Sequence, residues 1–195
     1  MFLVQLYLHL QGMNDYLFIF TSTKHRNIVI GHENRLWACS QLEGKDRKAR
    51  TTRAASMHKG ARGLIYSAEE GKRGFCMAFR TTSEVDPDSV ERTIWPQEAW
   101  EFPFKICPLS SPEKIVNPDR AKRRWAILQR RMREQGHSRL PGLFLGIHSI
   151  TAFSWVRMMR SEWEEILVEL DANLELDSLQ PEPSFPENDV YRDLL

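Results

Sequence analysis

The sequence predicts an α+β fold, a small mixed β-barrel with flanking helices. Three observations lead there. Short apolar runs rich in aromatic and branched residues recur through the first half of the chain. Two of them are joined by a glycine-bearing turn that reads as a hairpin. Helical patterns come late, without the strict strand–helix alternation of a doubly wound sheet. A chain of 195 residues, 42% hydrophobic, is enough for one domain with a real core.

The elements follow in order. Residues 1–12 are an N-terminal extension or an additional edge strand. Tyr16–Thr21 is a buried strand. His25–Asn34 is a loop or short helix, and a short strand follows at Leu36–Cys39. Gln41–Ser56 carries Lys45, Arg47, Lys48, Arg50 and Arg53 with few apolar anchors, so it reads as a mobile basic loop with a short helix. Gly63–Ser67 and Phe75–Thr81 are strands, joined by the turn Glu69–Gly74. Phe102–Ile106 is a strand whose Pro103 predicts an edge or a bulge. Asn117-Pro118-Asp119 starts a helix: an asparagine cap, proline in the first turn, an acid at the positive end of the dipole. That helix runs to about Glu134, with Trp125, Leu128 and Met132 on its apolar face. Leu143–Leu145 and Ile147–Phe153 read as strands. A last helix starts at Ser161 with Glu164 completing a capping box, and buries Trp163, Ile166, Leu167, Leu170 and Leu174. The predicted domain spans residues 13–174. Residues 175–195 are predicted to be an acidic, proline-rich, disordered tail.

Composition narrows the function. No apolar run approaches the length of a membrane span, and the start lacks the basic region of a secretory signal. Cys39, Cys76 and Cys107 are odd in number and far apart, which supports neither a disulfide framework nor a zinc site. These features predict a cytoplasmic protein with no membrane partner and no cofactor. The net charge of +1 hides an asymmetry: residues 161–195 carry −10 and the remainder +11. A basic body favours polyanionic partners. The basic loop and the basic helix supply Lys45, Arg47, Lys48, Arg50, Arg123, Arg124, Arg130 and Arg131 as phosphate-binding candidates, and the tail is a candidate competitor for that face.

Two tryptophans stand out: Trp37 in Arg35-Leu36-Trp37-Ala38-Cys39-Ser40, and Trp95 in Thr93-Ile94-Trp95-Pro96. With the strand before Trp37, the segment Met57-His58-Lys59-Gly60 leading to Leu64-Ile65-Tyr66, and Gly74-Phe75-Cys76-Met77-Ala78, this order resembles the EVE and YTH domains of the PUA-like superfamily. The resemblance covers Asp15 to Leu170. It implies a PUA-like barrel and a reader that holds a flipped, modified base, of the methylated adenine or cytosine type, between aromatic walls Trp37 and Trp95. It implies base-edge contacts from Thr21, Ser22 and Asn27, with Tyr66 lining the pocket or capping the barrel. The chain departs from the EVE pattern at Ala61, where an acid usually follows the glycine.

The chemistry of such a site is demanding. Flipping a base costs a few kcal/mol, stacking returns roughly 1–3 kcal/mol per base, and each buried polar edge atom needs a partner. The partner so implied is DNA or RNA bearing a modified base, together with an effector nuclease or other protein. Trp100, Trp125, Trp155 and Trp163 read as core. No nucleophile elbow, P-loop or metal motif is present, so a non-enzyme is expected. Two alternatives stay open: a PUA-like enzyme acting on RNA or a nucleoside-like substrate, and a protein-interaction module without a cage.

Overall fold

The structure, a computed structural model, describes residues 15–40, 50–52, 54–96, 99–116, 154–158 and 160–181. The elements are β1 (Asp15–Ser22), α1 (His25–Asn34), β2 (Leu36–Ser40), β3 (Arg62–Ser67), β4 (Gly74–Thr81), β5 (Val90–Glu91), β6 (Trp100–Pro108), β7 (Ser154–Met158), α2 (Arg160–Glu169) and α3 (Leu174–Ser178). The strands form one sheet in the order β2-β6-β4-β3-β1-β7, with β5 added alongside β6. β1 and β3 pair in parallel, Leu17 opposite Arg62 and Ser22 opposite Ser67. Their connection must therefore cross over, and α1 and β2 lie within it. The other pairings are antiparallel.

Alternation along β1 builds two cores. Phe18 and Phe20 join one cluster with Ile28, Trp37, Ile65, Met77, Phe79 and Phe104, on the face that α1 covers. Leu17 and Ile19 join the other with Leu64, Phe75, Trp163, Leu167 and Leu170, on the face that α2 covers. Each such side chain contributes about 1.5–3 kcal/mol by leaving water. In the β3–β4 hairpin the register shifts between Ile65 and Tyr66, leaving Cys76 as the extra residue. The bulge lets the consecutive residues Cys76 and Met77 share one core. Gly63 is required there: a Cβ on it would lie 2.0 Å from the Phe79 ring.

A buried polar knot ties the C-terminal segment to the sheet. Arg80 Nη1 lies 3.6 Å from Asp177 Oδ1, with both side chains almost fully buried. Trp163 Nε1 donates to the same carboxylate oxygen at 3.2 Å, and Arg80 Nη2 donates to the Pro181 carbonyl at 2.8 Å. A buried charge pair persists because each partner is also hydrogen-bonded.

Several expectations are corrected. The strand order begins at β2 and ends at β7, so the described sheet is open rather than a closed barrel. β6 is not an edge. The irregularity that Pro103 foretells shows as a register shift opposite Trp37/Cys39 and a left-handed Phe102 at φ 59°. The C-terminal tail does not begin at Glu175, because α3 spans that boundary and Asp177 is part of the buried knot. Leu174 is exposed, unlike Trp163, Ile166, Leu167 and Leu170. α2 starts at Arg160, and Glu164 accepts from Arg160 Nε at 3.1 Å rather than serving the expected box. The helix expected from Asn117 and the strands at 143–145 and 147–153 lie outside the described residues, as do residues 1–12 and 182–195. Among the described residues no helix is long and apolar enough to cross a membrane.

Candidate nucleic-acid interface

Three indoles converge beside α1. Trp37 lies in β2, one strand residue past the end of the helix. The helix stops because Arg35 adopts the left-handed conformation and its N–H returns to the carbonyls of Gly31 and His32. Gly31 gives Trp37 its seat: a Cβ there would come within 2.9 Å of the indole and 2.8 Å of the Leu36 carbonyl. Trp100 opens β6 and pairs with Ser40 on one side and Glu91 on the other. Trp95 lies in the loop between β5 and β6 and folds back onto both.

The rings touch directly. Trp95 and Trp100 lie 4.6 Å apart between centroids and 31° from parallel. Trp37 meets Trp95 edge-on at 5.9 Å and 84°, and meets Trp100 at 6.3 Å and 66°. All three are buried, at 1%, 3% and 5% exposure for Trp37, Trp95 and Trp100. Trp37 and Trp95 thus pack in one buried cluster, where they meet edge to face with no base-thick gap between them.

The polar surroundings are uneven. Trp95 Nε1 donates to the Asn27 carbonyl at 3.3 Å, which binds the loop to the first turn of α1. Trp100 Nε1 is buried without a hydrogen-bond partner among the described residues. Ser22 is committed to a turn, its hydroxyl donating to the Lys24 carbonyl at 2.8 Å and accepting from the Lys24 N–H. Thr21 Oγ1 is buried and unpartnered among the described residues. The His25 N–H donates to the Glu69 carboxylate. Burial holds the His25 imidazole below its usual pKa, Lys72 adds to the effect, and Glu69 opposes it.

Two predicted site residues go elsewhere. Tyr66 belongs to the opposite core, edge-on to Phe75 at 5.2 Å, because its place in β3 turns it to the face that α2 covers. Arg50 is buried at 6% exposure, so it is not part of an exposed basic face. Lys45, Arg47, Lys48, Arg123, Arg124, Arg130 and Arg131 lie outside the described residues. Trp100, which the sequence assigns to the core, completes the indole cluster. Its five-residue spacing from Trp95, ahead of a strand that returns beside β2, was the available signal. Elsewhere, a groove of about 690 Å³ lies between α2 and α3, lined by Arg160, Glu164, Val168, Leu174 and Asp177.

No protein-family model and no curated protein sequence matches the chain. Solved structures do. The YTH domain of Pho92 in complex with m6A aligns at a TM-score of 0.50 and 14% identity, over 80% of this chain and 84% of that one. The Toxoplasma CPSF4 YTH domain with a 7-mer m6A-modified RNA aligns at 0.41 and 18%, over 87% and 95%. Its apo form aligns at 0.35 and 24%, and there this chain covers 60% of the other's length and 51% of its own. The fold of this chain is that of the YTH domains.

Proposed function

We propose that the chain is a nucleic-acid reader that captures a methylated base, methyladenine in RNA foremost, at the Trp37–Trp95–Trp100 cluster. The observation that carries this reading is the convergence of three indoles beside the N-terminal turn of α1, one with a buried donor that no described residue satisfies. An orphaned buried donor is costly, and an acceptor on a base edge removes the cost. The Pho92 relative, in complex with m6A, favours adenine over cytosine.

In this reading Trp95 is the movable wall. Trp37 and Trp100 lie on paired strands, whereas Trp95 rides a loop and is tied to α1 by one hydrogen bond. Swinging it off Trp37 opens a stacking slot for the base. Asn27, half-buried at that point and with no side-chain partner among the described residues, offers a carboxamide to the base edge. Thr21, opposite Tyr66 in the β1–β3 ladder, takes the period of Leu17 and Ile19 toward the other core and has no part in the slot; Ser22 keeps to its turn with Lys24. Lys45, Arg47, Lys48, Arg123, Arg124, Arg130 and Arg131 complete the reading as sequence-independent phosphate contacts. Recognition needs no catalytic group, which is why the reading is a binder and not an enzyme.

The test is binding of matched RNA and DNA oligonucleotides carrying adenine, N6-methyladenine, cytosine or 5-methylcytosine. One methyl in a fitted apolar slot is worth about 10–200-fold. Methyladenine RNA should bind best and weaken steeply with salt. Equal affinity for all of them, or none for any, would falsify the reading.

A further inference from the structure

The loop that carries Trp95 has an internal brace. Glu91, the last residue of β5, pairs with Trp100 across the ladder. The chain then leaves the strand, turns through Arg92–Thr93–Ile94, places Trp95 against Trp100, and returns at Trp100 itself. The excursion therefore begins and ends on one strand pair. Inside it, Glu91 Oε1 accepts from the N–H groups of both Thr93 and Ile94, the latter at 3.1 Å. Ile94 is half-buried against the aromatic core. One carboxylate oxygen thus fixes the two residues that immediately precede the indole.

Geometry gives this brace leverage. Each backbone N–H it holds has no ladder partner, since β5 ends at Glu91. Hydrogen bonds to a charged acceptor are the strong ones. Without them, among the described residues, the turn keeps the Ile94 contact, the Trp95–Asn27 bond and the packing of the indole itself on Trp37 and Trp100.

We propose that Glu91 is a positioning residue that sets Trp95 against Trp100 and, through it, the affinity of the base site. The second half rests on the reader function proposed above; the first half does not. Glu91 touches no base. It acts by fixing the turn from which the indole projects, so that capture moves one ring and does not have to order a loop. Ordering a loop on binding lowers affinity, and a brace already in place avoids that cost.

The experiment compares wild type, Glu91→Ala, Glu91→Gln and Trp95→Phe. The far-ultraviolet circular-dichroism couplet of close indoles reports the Trp95–Trp100 pair without ligand, and affinity for N6-methyladenine RNA reports the site. Glu91→Ala should shift the couplet toward that of Trp95→Phe and weaken binding about tenfold, the loss of one charge-assisted pair of bonds. Glu91→Gln keeps an acceptor oxygen at the same place and should restore the couplet and most of the affinity. If Glu91→Ala keeps both the wild-type couplet and its affinity, the proposal is overturned. It is equally overturned if Gln fails to rescue while the fold, judged by its melting transition, is intact. Should wild type bind no methylated base while Glu91→Ala still alters the couplet, the reader function falls and the positioning stands.

Discussion

Trp163 and Trp100 are both buried indoles, yet their donors are treated in opposite ways. Trp163 is wholly enclosed, and its Nε1 donates to Asp177, which in turn holds Arg80. Trp100 is nearly as enclosed, and its Nε1 has no partner among the described residues. The first is an indole whose donor is answered inside the core. The second leaves a buried donor that the proposed base would answer. Burial is nearly the same for the two indoles; the state of the donor differs.

The largest effect should come from the Trp163 side. Asp177→Ala removes the carboxylate from both Arg80 and Trp163, and should cost about 3–5 kcal/mol in chemical denaturation. A loss below 1 kcal/mol would mean that the knot is not structural. The sharpest contrast comes next. Trp163→Phe should cost about 1–2 kcal/mol for the lost hydrogen bond and leave affinity for methylated RNA alone. Trp100→Phe removes a donor that has no partner among the described residues, so it should cost less stability while weakening binding about tenfold. Reversed outcomes for the pair would erase the distinction between them.

Gly31→Ala is subtler. Its Cβ would press on the Trp37 indole and the Leu36 carbonyl. Overpacking of this kind costs about 1–3 kcal/mol and displaces the fixed wall of the site. Affinity should fall along with stability, which titration at a temperature well below the melting transition separates from unfolding. The smallest effect concerns thiols. Burial pushes the Cys76 thiol up to about 12, against a weaker opposing hydrogen bond from the Ser67 backbone. Only the thiolate reacts. Cys76 should therefore resist alkylation at mildly alkaline pH, with and without bound RNA, while half-buried Cys107 reacts first. Ligand-dependent labelling of Cys76 would show that capture opens the core itself, and not merely the Trp95 loop.

Much of the fold could be read from the chain because its strands announce themselves locally. The aromatic run around Phe18, the hairpin glycines and the spacing of Trp163, Ile166, Leu167 and Leu170 each follow from a short-range rule, and each element is observed. What could not be read depends on long-range partners. Tyr66 looks like a pocket residue by position, but the strand's two-residue period, referred to the face that α2 covers, sends it to the other core. Asp177 looks like part of an acidic tail until Arg80, far away in β4, is seen beside it. Trp100 is core, as its sequence suggests, but a single spacing cannot reveal that its nitrogen lacks a hydrogen-bond partner among the described residues. Sheet closure was equally hidden, since strand runs alone do not state which edges meet.

The place of β1 in the sheet has a consequence for how the chain is made. β1 leaves the ribosome before the other described strands, and its neighbour β3 follows soon after. Its other edge waits for β7, encoded near the far end of the domain. At ordinary synthesis speeds that wait is on the order of ten seconds. Throughout it, a strand carrying Leu17, Phe18, Ile19 and Phe20 has one open ladder edge, a template for pairing with a neighbouring nascent chain. Stalling or truncation before residue 154 should therefore yield aggregation and not a smaller folded domain.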